Sequence, residues 1–346
     1  MTSIAIQEQI GNARFQNALA RRPQATPPIW LMRQAGRYHT HYQALRAKHS
    51  FMDLCKRPEL AAEVALGPVL DFDFDAAILF SDLLFPLEAA GMGLEYTDRG
   101  PQLEWKLTPE TISRLRAVED AWPNLEFQGQ AVHATRDRLP AERSLIGFIG
   151  GPWTLFVYAV EGTHKGALGE SKKLLPLFSS FCETMIPLLA RSVEMQLKNG
   201  AELVMIFDTA AGELAPQIFA SEVVPQLKRL AAGRGSRIGY YSKGTQPAHL
   251  RNAIFQDGFA GIGIDHRWEL REALDLFANG FVQGNFDQTL LLAERGELLR
   301  QLHRFLEPLL DRSRDGWVCG LGHGVLPGTP EDHVRIFVDT VREVMQ

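Results

Sequence analysis

The feature that most constrains this chain is a recurrence. Short, nearly continuous apolar runs alternate with helix-like stretches from Pro28 to the C-terminus. The runs are Pro28–Met32, Ala76–Phe80, Leu145–Ile149, Leu203–Phe207, Ile238–Tyr241, Ala260–Ile264, Gly280–Gln283 and Trp317–Cys319. Runs without polar alternation suit strands buried on both faces of a parallel sheet; Gly280–Gln283 is the weakest of them. Eight strand candidates separated by helices predict a (β/α)8 barrel ahead of an open doubly wound sheet, which the pattern leaves as the alternative. Residues 83–144 read as an elaborated crossover with two turn-rich stretches and a helix, and residues 1–27 as an N-terminal extension with one helix.

Local signals support the helices. Phe178, Phe181, Met185, Leu188 and Leu189 share one helical face before Lys198-Asn199-Gly200, a basic last turn and stop. Thr108-Pro109-Glu110 and Thr329-Pro330-Glu331 each place a cap residue, a proline and an early acid where a helix would begin.

A length of 346 residues fits one barrel domain, taken here as 1–346. No apolar window reaches the roughly 18 residues a membrane span needs, and Met1–Asn12 lacks the features of a signal peptide. Three cysteines, Cys55, Cys182 and Cys319, are too few and too scattered for a disulfide framework, so a cytoplasmic location is expected. A net charge of −5 argues against a nucleic-acid partner, though not against a small anionic ligand held by a local arginine cluster.

Barrel enzymes carry their chemistry at the C-terminal ends of the strands. Just past the runs stand Arg33 and Arg37, Ser81-Asp82, Gly150-Gly151-Pro152, Asp208-Thr209, Ser242-Lys243, Asp265, Asn285 with Asp287, and Gly322-His323-Gly324. Arg33 and Arg37 straddle Gly36, and Arg46 follows. Guanidinium groups bind carboxylates bidentately and stay charged, so three near one pocket point to a polyanionic ligand rather than to surface ion pairs worth about 0–1 kcal/mol each. Asp82 could accept several N–H donors at once, with a helix N-cap as the rival role. Tyr158, considered alone, is more readily a core tyrosine than a catalytic one. His323, between two glycines, is a candidate ligand group or proton donor. No phosphate loop, dinucleotide fingerprint, His-Glu-x-x-His or Cys-x-x-Cys occurs, and neither metal nor cofactor is expected.

With these residues in place, a resemblance can be stated. Pro28-Ile29-Trp30-Leu31-Met32-Arg33-Gln34-Ala35-Gly36-Arg37-Tyr38 resembles the N-terminal signature of the uroporphyrinogen decarboxylase family almost letter for letter. Asp75–Asp82, Gly147–Thr154, Gln283-Gly284-Asn285 and Leu321-Gly322-His323-Gly324 resemble further family motifs. The resemblance runs from about residue 12 to the end. It implies a homodimeric, cofactor-free barrel that converts uroporphyrinogen, a tetrapyrrole, to coproporphyrinogen by removing the carboxyl groups of its acetate arms. It also implies that Arg33, Arg37 and Arg46 hold substrate carboxylates and that Asp82 binds the pyrrole N–H groups. Arg37, Tyr158 and His323 would join Asp82 in catalysis, and Phe148 and Thr209 would line the pocket.

The chain departs from the family pattern at His39-Thr40-His41, which adds two imidazoles beside the arginines, and at Leu70-Asp71, Thr209, Asp265-His266 and Asn285-Phe286-Asp287-Gln288. These departures keep open a paralogue that binds, or acts on, a related tetrapyrrole. A corrinoid-dependent methyltransferase is the weaker alternative, because Gly239–Gly244 offers no zinc ligand.

Overall fold

A computed structural model describes residues 11–97 and 100–346. The start of the expected N-terminal extension, residues 1–10, lies outside the described residues; its helix is Ala13–Leu19. The strands are β1 Ala76–Ile78, β2 Glu95–Thr97, β3 Gly100–Gln102, β4 Ser144–Gly150, β5 Leu203–Asp208, β6 Ile238–Ser242, β7 Gly261–Gly263, β8 Phe281–Phe286 and β9 Trp317–Leu321. Seven of them form one parallel sheet in the order β1-β4-β5-β6-β7-β8-β9. Every residue of β4, β5, β6, β8 and β9 is buried, which is why those runs carry no polar alternation. The weak run Gly280–Gln283 belongs to a six-residue strand with Gln283, Gly284 and Asn285 between its apolar ends. Buried Asn285 there donates to the carbonyls of Asp265 at 2.9 Å and Trp268 at 2.8 Å.

The first apolar run, Pro28–Met32, is extended but makes only a single parallel bridge, Ile29 to Cys319. It runs between β9 and β1: Cys319 N–H donates to Pro28 O at 2.9 Å, and Asp75 N–H donates to Ile29 O at 2.9 Å. Side chains replace much of a regular ladder on the β1 side. The buried Asp75 carboxylate accepts from Ile29 N–H at 2.8 Å, and Gln34 donates to Ala76 O at 3.0 Å.

Helices cover the sheet. The amphipathic stretch around Phe178 is the helix Phe178–Lys198, which ends at Asn199 before Gly200 in the left-handed region. Its Gln196 takes both backbone groups of Phe148, at 2.8 and 2.9 Å, two residues beyond the end of β1 pairing. Each such buried bond is worth about 1 kcal/mol, and losing the amide would strand two strand groups without water. Gly147 is required beside it, since a Cβ there would lie 2.2 Å from the Gln196 oxygen.

Two expected helix starts resolve differently. Thr329-Pro330-Glu331 opens the helix Glu331–Val344. Thr108-Pro109-Glu110 opens no α-helix: Thr108 Oγ1 accepts from Glu110 and Thr111 N–H, making a turn that leads only into the 3-10 segment Ile112–Arg114. Cap chemistry is local, and no apolar face follows to carry a helix onward. The helix of the elaborated crossover is Glu126–Arg138, packed on Pro58–Phe72. Among the described residues no helix is long and apolar enough to cross a membrane.

Candidate active site

A cavity of about 610 Å³ opens beside the C-terminal ends of β1, β4 and β5. Arg33, Arg37, Arg46, Asp82, Phe148, Tyr158, Thr209 and His323 all line it. They come from five places in the chain, so the fold brings the expected set together.

The arginines are presented by a tightly turned segment. After buried Trp30 and Leu31 the chain turns at Arg33, whose φ is +58°, and Tyr38 Oη donates to Gln34 O at 2.7 Å to hold the turn. Arg46 closes the short helix Thr40–Arg46 at the rim. The glycine of Gly322-His323-Gly324 nearest this segment makes room for protein: a Cβ on Gly324 would sit 2.4 Å from Arg33 Cδ. Among the described residues none of these three arginines has a carboxylate partner within salt-bridge distance. Ion pairing on the surface therefore does not account for them, and the carboxylate lining their cavity is Asp82.

Asp82 accepts from Leu84 N–H at 2.8 Å and from the Tyr96 hydroxyl. Burial raises its pKa above the usual carboxylate range, while Tyr96, Leu84 and Arg33 pull the other way. The Leu84 bond is a tight turn at the strand end. The helical turn after it, Phe85–Leu87, has Leu84 as its cap residue and no side-chain cap. Tyr96 stands on the hairpin β2–β3, where Tyr96, Thr97, Gly100 and Pro101 also line the cavity, and its ring lies 4.5 Å from that of Phe51. The hairpin lies within the elaborated crossover, residues 83–144, and Tyr96 is not among the residues the sequence singles out.

Phe148 and Phe207 make an apolar wall, with ring centroids 5.6 Å apart. Tyr158, on the helix Pro152–Glu161, meets Nδ1 of His164 through its hydroxyl; burial first, then Asp82, pushes its pKa up to about 12. His164 was not among the expected residues.

His323 is oriented from behind. Tyr241 Oη donates its single proton to Gly322 O at 2.7 Å, so His323 Nδ1, 3.0 Å from the same oxygen, is the donor in their contact. That assignment leaves Nε2 as a lone pair. Burial lowers the His323 pKa to about 3, and Arg33, Lys243, His164 and His266 add to the shift. The imidazole is neutral and suited to accept a hydrogen bond, which speaks against the proton-donor role considered for it.

Several strand-end polar residues face elsewhere. Asp208 is fully buried and braces the fold, accepting from Thr154 N–H at 3.0 Å, Thr154 Oγ1 at 2.6 Å and Tyr240 Oη at 3.1 Å. Asp265 accepts from Gly244 N–H at 2.6 Å and Arg267 N–H at 3.0 Å, and Asp287 caps Thr289 at 2.9 Å. Burial raises the Asp208 pKa from 3.8 to about 6. Its contribution to stability is therefore fully present below pH 3.8 and lost as pH rises to about 6. The neutral isostere Asp208→Asn is expected to gain about 3 kcal/mol on the wild type across that window, at 1.36 kcal/mol per unit of pKa. Denaturant unfolding of both proteins at several pH values checks this; a difference independent of pH would refute it.

His39 and His41 do not line the cavity, contrary to the placement beside the arginines expected from sequence. Both dock on the helix Pro58–Phe72. His39 Nε2 pairs with Asp71 at 2.7 Å, and His41 fills the space over Gly67, where a Cβ would lie 2.3 Å from its ring. One contact thus explains the departures at His39 and Asp71 together. Leu70 beside them is 66% exposed.

Comparison with known proteins shows the family of the chain. The profile of the family described as "Uroporphyrinogen decarboxylase (URO-D)" matches residues 11–344. A uroporphyrinogen decarboxylase of Hahella chejuensis is 36% identical, the match covering 97% of each chain, and one of a Geobacter species is 34% identical over 96% of this chain and 99% of that protein. Among solved structures, a methyltransferase from Methanosarcina mazei superposes with a TM-score of 0.75 at 19% identity, covering 97% of this chain and 99% of that one, a likeness of fold. The chain belongs to the uroporphyrinogen decarboxylase family, a family of carboxy-lyases.

Proposed function

We propose that the protein removes the acetate carboxyl groups of uroporphyrinogen III to give coproporphyrinogen III. The observation that carries this reading is one cavity in which, among the described residues, three arginines without carboxylate partners are joined by a single desolvated aspartate. Arg33, Arg37 and Arg46 hold substrate carboxylates. Asp82 accepts the pyrrole N–H groups, joined by the Nε2 lone pair of His323, while Phe148, Phe207 and Thr209 pack the macrocycle.

Protonating a pyrrole α-carbon makes the ring a cationic electron sink. Carbon dioxide then leaves the neighbouring acetate, the exocyclic carbon takes up a proton, and the α-carbon gives its proton back to restore the pyrrole. Asp82 stabilises the ring cation from a fixed position, and low local polarity strengthens that effect. The ring supplies the electron sink itself, so the reaction in this reading draws on no further cofactor.

The reading includes a single (β/α)8 domain in which Pro28–Met32 serves as the first barrel strand, and a homodimeric assembly taken from the family likeness. A cytoplasmic setting accords with three unpaired, buried cysteines. A second reading, altered preference among tetrapyrroles, has Thr209 in its favour, because that departure lies in the cavity wall.

Purified protein incubated with uroporphyrinogen III under anaerobic conditions in the dark is expected to yield coproporphyrinogen III, with isomer I tested in parallel. Porphyrin binding without product above the spontaneous background would reject the enzyme reading in favour of a binder.

A further inference from the structure

Each decarboxylation replaces a carboxylate by hydrogen: R–CH2–COO⁻ + H⁺ gives R–CH3 + CO2. One proton must therefore reach the cavity for every arm processed. The decarboxylase reading, on which this inference rests, leaves the route of that proton open.

One contact offers a route. The helix Pro152–Glu161 buries nearly all its residues, and Tyr158 is the aromatic that reaches the cavity. The helix stops at Gly162, whose φ of +79° is the left-handed conformation glycine takes readily, and Gly162 N–H returns to Tyr158 O at 2.9 Å. The chain doubles back there and lays the His164 ring beside the Tyr158 ring, with centroids 5.2 Å apart and planes at 52°. Nδ1 meets the tyrosine hydroxyl. His164 is half-buried and does not line the cavity, so it stands behind Tyr158 as seen from a bound substrate.

We propose that His164 is the relay residue that acts through Tyr158, delivering to the cavity the proton consumed in each decarboxylation. The Tyr158 O–H bond breaks as the proton passes to the substrate carbon. Nε2 of His164 takes up a proton from solvent as Nδ1–H reprotonates the tyrosine oxygen, which leaves the ring neutral as its Nε2–H tautomer; exchange with solvent returns a proton to Nδ1 before the next turnover. The hydroxyl remains an ordinary protonated phenol between turnovers, which a proton donor requires.

The charged groups around His164 support rapid release. Lys243 after β6, Arg33 from the arginine turn and Lys165 on its own loop all disfavour the imidazolium, in addition to burial. A proton on this ring is poorly held and is passed on. The same cations would hinder a resident imidazolium from acting as a permanent carboxylate ligand.

Steady-state kinetics on His164→Gln and His164→Ala test the proposal. Glutamine keeps a hydrogen-bond partner for the hydroxyl but cannot carry a proton through. Both variants are expected to lose about 10²-fold in kcat, the usual scale for a positioned acid–base group, with KM for uroporphyrinogen unchanged. Added imidazole is expected to restore part of the rate of His164→Ala. In the free protein, the His164 imidazole ¹⁵N shifts are expected to move in Tyr158→Phe. An active wild type whose His164→Gln form keeps full kcat would overturn the relay alone. Unmoved ¹⁵N shifts would overturn the pairing. A wild type that makes no coproporphyrinogen would overturn the decarboxylase reading and the relay with it.

Discussion

Asp82→Asn is expected to lower kcat by about 10²–10³-fold, the scale seen when a preorganised group facing transition-state charge is removed. The expectation follows from where the carboxylate sits. Its partners among the described residues are one backbone N–H and one phenol, so it retains lone pairs for a ligand. Burial makes an unpaired charge there costly, and that cost is recovered when a cationic ring forms beside it. Asparagine keeps an oxygen for Leu84 and Tyr96, so the melting temperature should stay within a few degrees of the wild type. Thermal unfolding measured alongside kcat decides between roles. If the variant melts far lower while its folded fraction retains normal specific activity, Asp82 is a structural turn residue and the assignment fails.

Arg37→Ala should act on KM instead, raising it about 10- to 100-fold. A hydrogen bond to a charged group contributes about 1.5–3 kcal/mol, and a bidentate pair with a carboxylate lies at the upper end. Stability should be unchanged or slightly improved, since Arg37 has no carboxylate partner among the described residues and shares its cavity with Arg33 and Arg46. Lysine at this position should recover only part of the loss, because an ammonium cannot form the bidentate fork. Initial rates over a range of uroporphyrinogen concentrations and salt provide the check. The wild-type KM should rise with ionic strength more steeply than that of the variant. A KM unaffected by the substitution would place Arg37 outside the binding surface.

The departures at His39, His41 and Asp71 bear less on substrate choice than their position beside the arginine signature suggested. All three form one packing contact on the outer side of the arginine turn. Thr209 is the departure that enters the cavity, and it adds one methyl group to the wall. Among the described residues no group of three or more His, Cys, Asp or Glu side chains is placed to hold a metal ion, and Cys319 is fully buried in β9.

The parallel strands were legible because burial on both faces leaves a continuous apolar run, a signal confined to a few neighbouring residues. The arginine turn and Asp82 were legible for a related reason: charge directly after such a run has few structural roles open to it. Pro28–Met32 shows the limit: read as a strand, it forms only one isolated bridge, and Asp75 and Gln34 supply with side chains much of what a neighbouring strand would supply with backbone.

Sequence by itself thus determined the parallel α/β architecture and the composition of the arginine-lined wall, through periodicity and the high cost of burying charge without a purpose. Tertiary structure decided which strand-end residues serve the cavity and which brace the fold. Asp208, Asp265 and Asp82 each stand within two residues of the end of an apolar run, yet of the three only Asp82 lines the cavity. It also decided the partners that tune the site: Tyr96 for Asp82, His164 for Tyr158 and Tyr241 for His323. Asp82 with Tyr96 and His323 with Tyr241 join residues 14 and 82 positions apart. His164 is only six positions from Tyr158, but it reaches the hydroxyl because the helix ends at Gly162. Contacts of this kind depend on where the chain turns back on itself, and no local periodicity records them.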